Sequence, residues 1–353
     1  MEWSKTERRN LGLECLRICS MFMIIFLHSI DHSGLYERIE SGTLLYDYEQ
    51  FMYALVQVGV NCFILISGFF LVKSQFKLRK LISLWIEVVF YAFTIKLFMM
   101  ATGRIVFSFT ALLSCFVPIL TGRYWFITIY FGMYFMFPFY TIAIKAMSKQ
   151  QYKKLIVLLI ILFSGLNSIY PSFKGMNSGG AWGLAWFSVL YFIGAYFRIY
   201  YQPSKNGRKC VAVFGAIPII MTSALVIVQK ISIEFMSNIV KNWWKYDSVP
   251  VLLASMALFA AFINIDNMKL NAKLSQLIIK ISKTTLGVYL IHAHANVCTE
   301  ELWRQVGIPR YMLEWWFPIY QLGVVTVIFA GCSLIDCLRQ WIFSLVKIDK
   351  IKI

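Results

Sequence analysis

The stretch LGLECLRICSMFMIIFLHSIDH, residues 11–32, holds the residues best suited to chemistry. Arg17 and His28 are eleven positions apart, which on an α-helix is three turns and about 16 Å, so both side chains lie on one face. An imidazole takes up a proton near neutral pH, and a guanidinium offers a fork of donors to phosphate or carboxylate. The spacing predicts a helix face with a cation at one end and a general base at the other. The alternative is that Arg17 snorkels to the cytoplasmic headgroups and His28 lies at the outer interface without a catalytic role.

A second candidate follows in GVNCFILISGFFLVKSQFKLRK, residues 59–80. Asn61 and Ser67 are polar groups within an apolar run, and the basic turn after it contains Lys77, Arg79 and Lys80. Such a turn can bind an anionic ligand. The alternative is that these charges only mark the end of a membrane helix.

Two further residues stand in apolar surroundings, Trp125 in GRYWF and His292 in GVYLIHAHANV. The indole ring can stack on a sugar or anchor a helix at a membrane interface. His292 is either functional or a buried, hydrogen-bonded histidine. The four histidines lack the close spacing to carboxylates that is typical of a metal site, so we expect no metal.

The elements that must position these residues cross a membrane. Of the 353 residues 59% are hydrophobic and 14% charged, and the mean hydropathy is +0.67, which excludes an ordinary soluble protein. Lipid leaves no partner for free backbone groups, so runs of about 20 apolar residues are helices. The fold predicted is an all-α, polytopic transmembrane bundle. It has about ten spans: 11–31, 51–72, 81–101, 124–144, 155–171, 182–201, 210–228, 247–265, 284–302 and 315–338.

The net charge of +17 would suggest nucleic acid in a soluble protein. With the N-terminus in the cytoplasm, however, 24 of the 34 Lys and Arg residues fall on the cytoplasmic side, and ten of the 17 acidic residues fall outside. The basicity therefore reports topology, with both termini cytoplasmic and no nucleic acid bound. Residues 105–120 are too short for a span, and we expect a re-entrant or interfacial segment on the outer face.

Short loops leave no room for a separate soluble domain, so residues 1–353 form a single integral-membrane domain. The ordered fragments of this domain resemble acyltransferase family 3, integral-membrane enzymes that acylate sugars and cell-surface glycans. The matching fragments, in chain order, are Glu14-x-x-Arg17 with His28, Gly59-Val60-Asn61 with Ser67-Gly68-Phe69, Trp125-Phe126-Ile127 to Pro138, and Tyr289-Leu290-Ile291-His292.

The resemblance implies that acetyl-CoA or another acyl-CoA, a co-substrate rather than a bound cofactor, acylates a sugar hydroxyl of a cell-surface polysaccharide or glycolipid. The acceptor would be a glycan or a lipid-linked sugar, and the enzyme would lie in the plasma membrane. His28 would be the general base, with Glu14 and Arg17 also in the catalytic site. Lys77, Arg79 and Lys80 would bind the acyl-CoA, and Asn61, Ser67, Trp125 and His292 the substrates. The family often has Arg-x-x-Arg where this chain has Lys77-x-x-Lys80, and lysine lacks the bidentate fork.

A different class of function stays open, a transporter that exports polysaccharide or small anions. Arg17, His28 and His292 would then line its pathway. Two features favour the enzyme: the polar residues are concentrated on one helix, and the sequence has no inverted repeat of interrupted helices.

Overall fold

The computed structural model describes residues 10–170, 180–203, 206–231, 234–265, 271–297 and 302–346, and within them every regular element is helical. The all-α prediction is confirmed. The α-helices are α1 Leu11–Asp31, α2 Leu44–Val56, α3 Gly59–Leu71, α4 Leu78–Ala101, α5 Phe109–Leu113, α6 Trp125–Ala146, α7 Lys149–Ile160, α8 Leu166–Ile169, α9 Leu184–Tyr200, α10 Gly207–Ile231, α11 Glu234–Asn242, α12 Val249–Ile265, α13 Ala272–Ser282, α14 Thr285–His292, α15 Trp303–Val306 and α16 Phe317–Leu345. A π-helical turn, Ile161–Gly165, joins α7 to α8.

Seven helical stretches in the described part of the chain are long and apolar enough to cross a membrane. They are α1, α2 with α3, α4, α6, α7 with α8, α10 and α16. Two shorter apolar helices, α9 and α12, occupy the predicted spans 182–201 and 247–265. The chain is therefore a multi-pass membrane protein, although seven long helices are fewer than the ten continuous spans that we predicted.

Among the predicted spans, 284–302 differs most from the structure. The structure has a helix of eight residues there, α14, after a turn at Lys283 and Thr284, and residues 298–301 lie outside the described residues. The helix ends at His292. The His294 N–H donates to the Ile291 carbonyl at 3.4 Å, and the Leu290 carbonyl, which a continuous helix would use for His294, accepts the Tyr124 hydroxyl at 2.9 Å instead. Hydropathy alone does not register such a break, and the prediction of one continuous helix is wrong.

The basic helix ends come together at one end of the bundle. The Arg17 guanidinium lies 5.8 Å from the Phe70 ring at the end of α3, and that of Arg198 lies 4.8 Å from the neighbouring Phe69. The beginning of α1 and the ends of α3 and α9 are thus neighbours. This is the end that the charge pattern predicts to be cytoplasmic. Both termini lie outside the described residues.

Residues 105–120 form two short helical pieces, α5 and the 3-10 turn Ser114–Phe116. The Arg123 guanidinium donates to Ser114 Oγ at 3.0 Å, and the Thr128 hydroxyl donates to the Ile119 carbonyl at 3.2 Å, so the segment is attached to the start of α6. The prediction that this segment is not a full span is confirmed.

A buried ion-pair network connects α4 with α16. Arg339 is 9% exposed and lies 2.9 Å from both Glu87 Oε1 and Asp336 Oδ1. Tyr91 donates to Asp336 Oδ1 at 2.7 Å. We predicted that the last span ends at 338 and that Arg339 belongs to the cytoplasmic flank. The helix does not end at 338 but continues to Leu345, whereas the cytoplasmic position of Arg339 stays a prediction. The arginine neutralises Glu87, an acidic residue within a predicted span for which the sequence alone suggests no partner.

Helices α3 and α9 pack at very short range. A methyl group at Gly68 would collide with the Tyr191 carbonyl oxygen, and one at Gly194 would collide with the carbonyl oxygen of Leu65. Small residues are what allow membrane helices to approach this closely. The contact fixes α3, which forms one wall of the candidate site.

Candidate active site

A cavity of about 310 Å³ lies among α1, α3, α4, α6, α14 and the loop before α12. Ligand pockets in proteins run from about 300 to 1,000 Å³, so this one suits a small or slender ligand. Most of its wall is apolar and aromatic, and its polar groups are few.

The α1 wall of the cavity is the predicted face. Arg17, Met21, Ile24 and His28 line it at spacings of four, three and four residues, which is the repeat of one helix face. The Asn10 side chain starts this helix by accepting the Leu13 backbone N–H at 2.8 Å. The prediction that Arg17 and His28 share one face is confirmed, and they share one cavity as well.

At the Arg17 end, polar residues from three other helices join the wall. Ser67 of α3 and Lys80 of α4 line the cavity, and Tyr130 of α6 lies beside both Ser67 and Arg17. Arg17 Nε is 3.7 Å from Glu14 Oε2, one turn earlier on α1. Glu14 is not among the residues that line the cavity.

The basic turn is divided between the cavity and the surface. Lys77, Arg79 and Lys80 are all exposed at the start of α4, but of the three only Lys80 lines the cavity. The Tyr134 hydroxyl, from the opposite wall, donates to the Lys77 carbonyl at 3.3 Å. This bond ties the start of α4 to α6 beside the mouth of the cavity.

At the other end, three imidazoles meet. The ring centroid of His28 is 5.2 Å from that of His32 and 5.1 Å from that of His292. His32 is exposed just beyond α1, and partial desolvation lowers the pKa of its imidazole, so the ring is neutral at neutral pH. His292 is completely buried and is not among the lining residues; it lies beside His28 without lining the cavity.

Of the predicted substrate-binding residues Trp125 and Asn61, only Trp125 lines the cavity. Trp125 lines the cavity, with its ring stacked 6.4 Å from that of Tyr246, another lining residue. Asn61 is buried outside the cavity, where its Nδ2 donates to the Tyr246 carbonyl at 2.8 Å and to Ser255 Oγ at 3.2 Å. Its Oδ1 accepts the Trp186 indole N–H at 3.1 Å. Asn61 therefore holds Tyr246 in the wall.

Several lining residues were not candidates in the sequence. Phe63 is one turn from Ser67, so the helical repeat was a usable signal for it. Tyr130 is five positions from Trp125 and lies on a different face of α6, one turn after Phe126. Tyr246 follows a turn, and no periodicity points to it. In the described ranges, no group of three or more His, Cys, Asp or Glu residues is arranged to hold a metal ion.

A comparison with protein-family models supports the resemblance seen in the sequence. The model of acyltransferase family 3, described as an acyltransferase domain, matches residues 10–336, which is nearly the whole chain. No curated protein and no solved structure gives a significant match.

Proposed function

Because the chain belongs to acyltransferase family 3, a family of membrane acyltransferases, we propose that it moves an acetyl or other acyl group from acyl-CoA to a sugar hydroxyl of a cell-surface polysaccharide or glycolipid, with His28 as the general base. The observation that carries the proposal is the shared cavity. It joins two cations, Arg17 of α1 and Lys80 of α4, to the His28 imidazole, which lies about 16 Å beyond Arg17 along α1.

The reaction has a balanced course through this cavity. His28 takes the proton from the acceptor hydroxyl as the oxygen attacks the thioester carbonyl carbon. The carbon–sulfur bond then breaks, and the thiolate of CoA takes the proton back from the imidazolium. Removal of a proton in the transition state by a positioned base is worth about 10² to 10⁴ in rate.

The size and charge of the cavity suit the slender part of an acyl-CoA. A volume of about 310 Å³ with apolar walls accepts an uncharged arm and an acyl group, whereas the phosphates of the nucleotide need cations and water. Those phosphates would remain at the mouth near Lys80 and Arg17, with the exposed Lys77 and Arg79 around it. Ser67 would orient the arm as it passes.

The His28 end suits the acceptor. Stacked aromatic rings such as Trp125 and Tyr246 pack well on the C–H face of a sugar, because the face of an aromatic ring is electron-rich. The basic helix ends lie at the Arg17 side, which the positive-inside rule makes cytoplasmic. In this orientation both termini are cytoplasmic, the enzyme spans the plasma membrane, and the acceptor arrives from outside.

The test is mass spectrometry of the surface glycan of a host that expresses the chain, compared with the same host lacking it. We expect an O-acyl mass increment that depends on the chain, with the amount of exported glycan unchanged. Loss of glycan from the surface without any change in its acylation would identify a transporter and reject the enzyme.

The cations at the mouth allow a sharper prediction about the donor. Lys80→Ala should weaken binding of acetyl-CoA to the detergent-solubilised protein by about 5- to 10-fold, because one charge-assisted phosphate contact is lost. Binding of acetyl-pantetheine, which has the thioester but no nucleotide, should change by less than about twofold. Equilibrium binding measured with both ligands checks this.

Lys145→Ala is the matched control. Lys145 is exposed in the last turn of α6, at the basic end of the bundle, and is not among the lining residues. Its replacement should leave both affinities unchanged. Equal losses of acetyl-CoA affinity in the two variants would mean that the effect of Lys80 is general surface charge.

A further inference from the structure

One ring nitrogen of the proposed base and one of the neighbouring imidazole have no hydrogen-bond partner. His28 Nδ1 and His292 Nε2 are both buried and accept or donate no hydrogen bond. A buried polar atom without a partner is costly, and such atoms are uncommon in folded proteins. Here the two atoms belong to neighbouring rings, 5.1 Å apart between centroids. The two nitrogens do not bond each other as the rings stand. Two imidazoles joined by one hydrogen bond of about 2.9 Å have a centroid separation of this size, so a rotation of the His28 ring would close the bond.

The backbone decides which nitrogen of His292 carries the proton. His292 Nδ1 lies 2.6 Å from the Val288 carbonyl oxygen. A carbonyl can only accept, so Nδ1 of His292 is the donor and carries the hydrogen. In a neutral imidazole the other nitrogen then has a free lone pair. Nε2 of His292 is thus a hydrogen-bond acceptor in a dry site beside His28.

We infer that His292 is a positioning residue: its Nε2 accepts a hydrogen bond from His28 Nδ1–H and thereby keeps the lone pair of His28 on Nε2, directed to the cavity. A general base needs a free lone pair on the nitrogen that faces the acceptor. The same bond holds the imidazolium ring in place while His28 carries the extra proton. This inference rests on the proposed role of His28 as the base.

His32 does not fill this role, although its ring is as close to His28 as that of His292. It is exposed, so its nitrogens exchange hydrogen bonds with water and do not impose one tautomer on a neighbour. The complete burial of His292 and its fixed bond to Val288 are what distinguish it.

Two substitutions separate the nitrogens of His292. The amide of asparagine overlays Nδ1, so His292→Asn keeps the bond to Val288 and loses the acceptor. The longer glutamine reaches the position of Nε2, so His292→Gln keeps an acceptor for His28. We expect His292→Asn to lower the saturated rate of radiolabelled acetyl transfer from acetyl-CoA to membrane glycan by about 10- to 100-fold, the effect of one hydrogen bond to a charged group. His292→Gln should be at least about fivefold faster than His292→Asn.

Controls separate positioning from a structural effect. Acetyl-CoA binding should be unchanged in both variants, and His32→Asn should transfer acetyl groups at the wild-type rate. In a His28→Ala background, His292→Asn should cause no further loss, because it acts through the imidazole that is already absent. Equal rates for the Asn and Gln variants, or a further loss in the His28→Ala background, would overturn the inference. If His28→Ala itself keeps full activity, the proposed function fails instead.

A measurement on the unmodified protein covers the case in which a variant does not fold. The chain has four histidines, so nitrogen NMR of protein labelled at histidine can assign the tautomer of each ring. We expect His28 and His292 both to carry the hydrogen on Nδ1. A His28 ring protonated on Nε2 at neutral pH contradicts the inference.

Discussion

Replacing His28 by alanine is expected to lower acyl transfer to the surface glycan by about 10²- to 10⁴-fold, the contribution of a positioned general base. Among the residues of the described chain that line the cavity, no other side chain is an imidazole or a carboxylate that could take up a proton from the acceptor near neutral pH. The end of the cavity proposed to bind the phosphates of acyl-CoA stays intact, since Arg17 lies about 16 Å away along α1 and Lys80 lines the cavity from α4. We therefore expect the loss in kcat, with acetyl-CoA binding within about twofold of wild type.

The measurement combines two assays on the same membranes. Incorporation of radiolabelled acetyl from acetyl-CoA reports the rate, and mass spectrometry of the surface glycan reports acylation and export together. His32→Ala is the matched control, because it removes a second imidazole from the same helix end without touching the cavity wall. A His28→Ala variant that still acylates the glycan at the wild-type rate would show that the base is elsewhere.

The relation between Arg17 and His28 was predictable because it is local. An α-helix places residues eleven positions apart on one face, whatever surrounds it. An apolar segment in lipid forms a helix because backbone N–H and C=O groups without hydrogen bonds are costly there. The side on which the basic residues lie follows from composition in the same way. These two facts bring a cation and an imidazole to one cavity before any tertiary contact is known.

The roles of Asn61 and His292 were not predictable in this way. Asn61 is bonded to Trp186, Tyr246 and Ser255, which are 125, 185 and 194 positions further along the chain. No repeat in a single sequence connects such positions. Both residues were expected to bind substrate, and both are buried next to the residues that line the cavity.

The same limit explains the misplaced end of the last helix. Hydropathy treats each charge as a cost, so the predicted span ends at 338, directly before Arg339. In the folded chain Arg339, Asp336 and Glu87 neutralise one another, and the helix continues. Whether a charge ends a membrane helix depends on a partner from another helix, which hydropathy does not include.

The close packing of α3 against α9 leads to the second large expected effect. Gly68→Ala would place a methyl group against the carbonyl oxygen of Tyr191 and 2.9 Å from its Cα, and backbone atoms cannot move aside as a flexible side chain can. The helices must separate, at a cost of about 1 to 3 kcal/mol or more. Ser67 and Phe63, on the same helix, then move in the cavity wall. Because a shift on the order of 1 Å can cost about 10²-fold in rate, we expect activity to fall by about that factor even in protein that remains folded.

Gly194→Ala tests the same contact from the other helix. Its methyl group would collide with the carbonyl oxygen of Leu65, so the melting temperature and the activity should fall as they do for Gly68→Ala. Gly215→Ala is the control, since a Cβ at this position in α10 meets no atom within 4 Å and alanine favours the helix. Thermal unfolding of the three variants in detergent, with acetyl transfer measured in parallel, decides the matter. The prediction fails if Gly68→Ala and Gly194→Ala are as stable and as active as Gly215→Ala. Helices α3 and α9 would then not be in close backbone contact, and the wall that holds Ser67 would have to be placed differently.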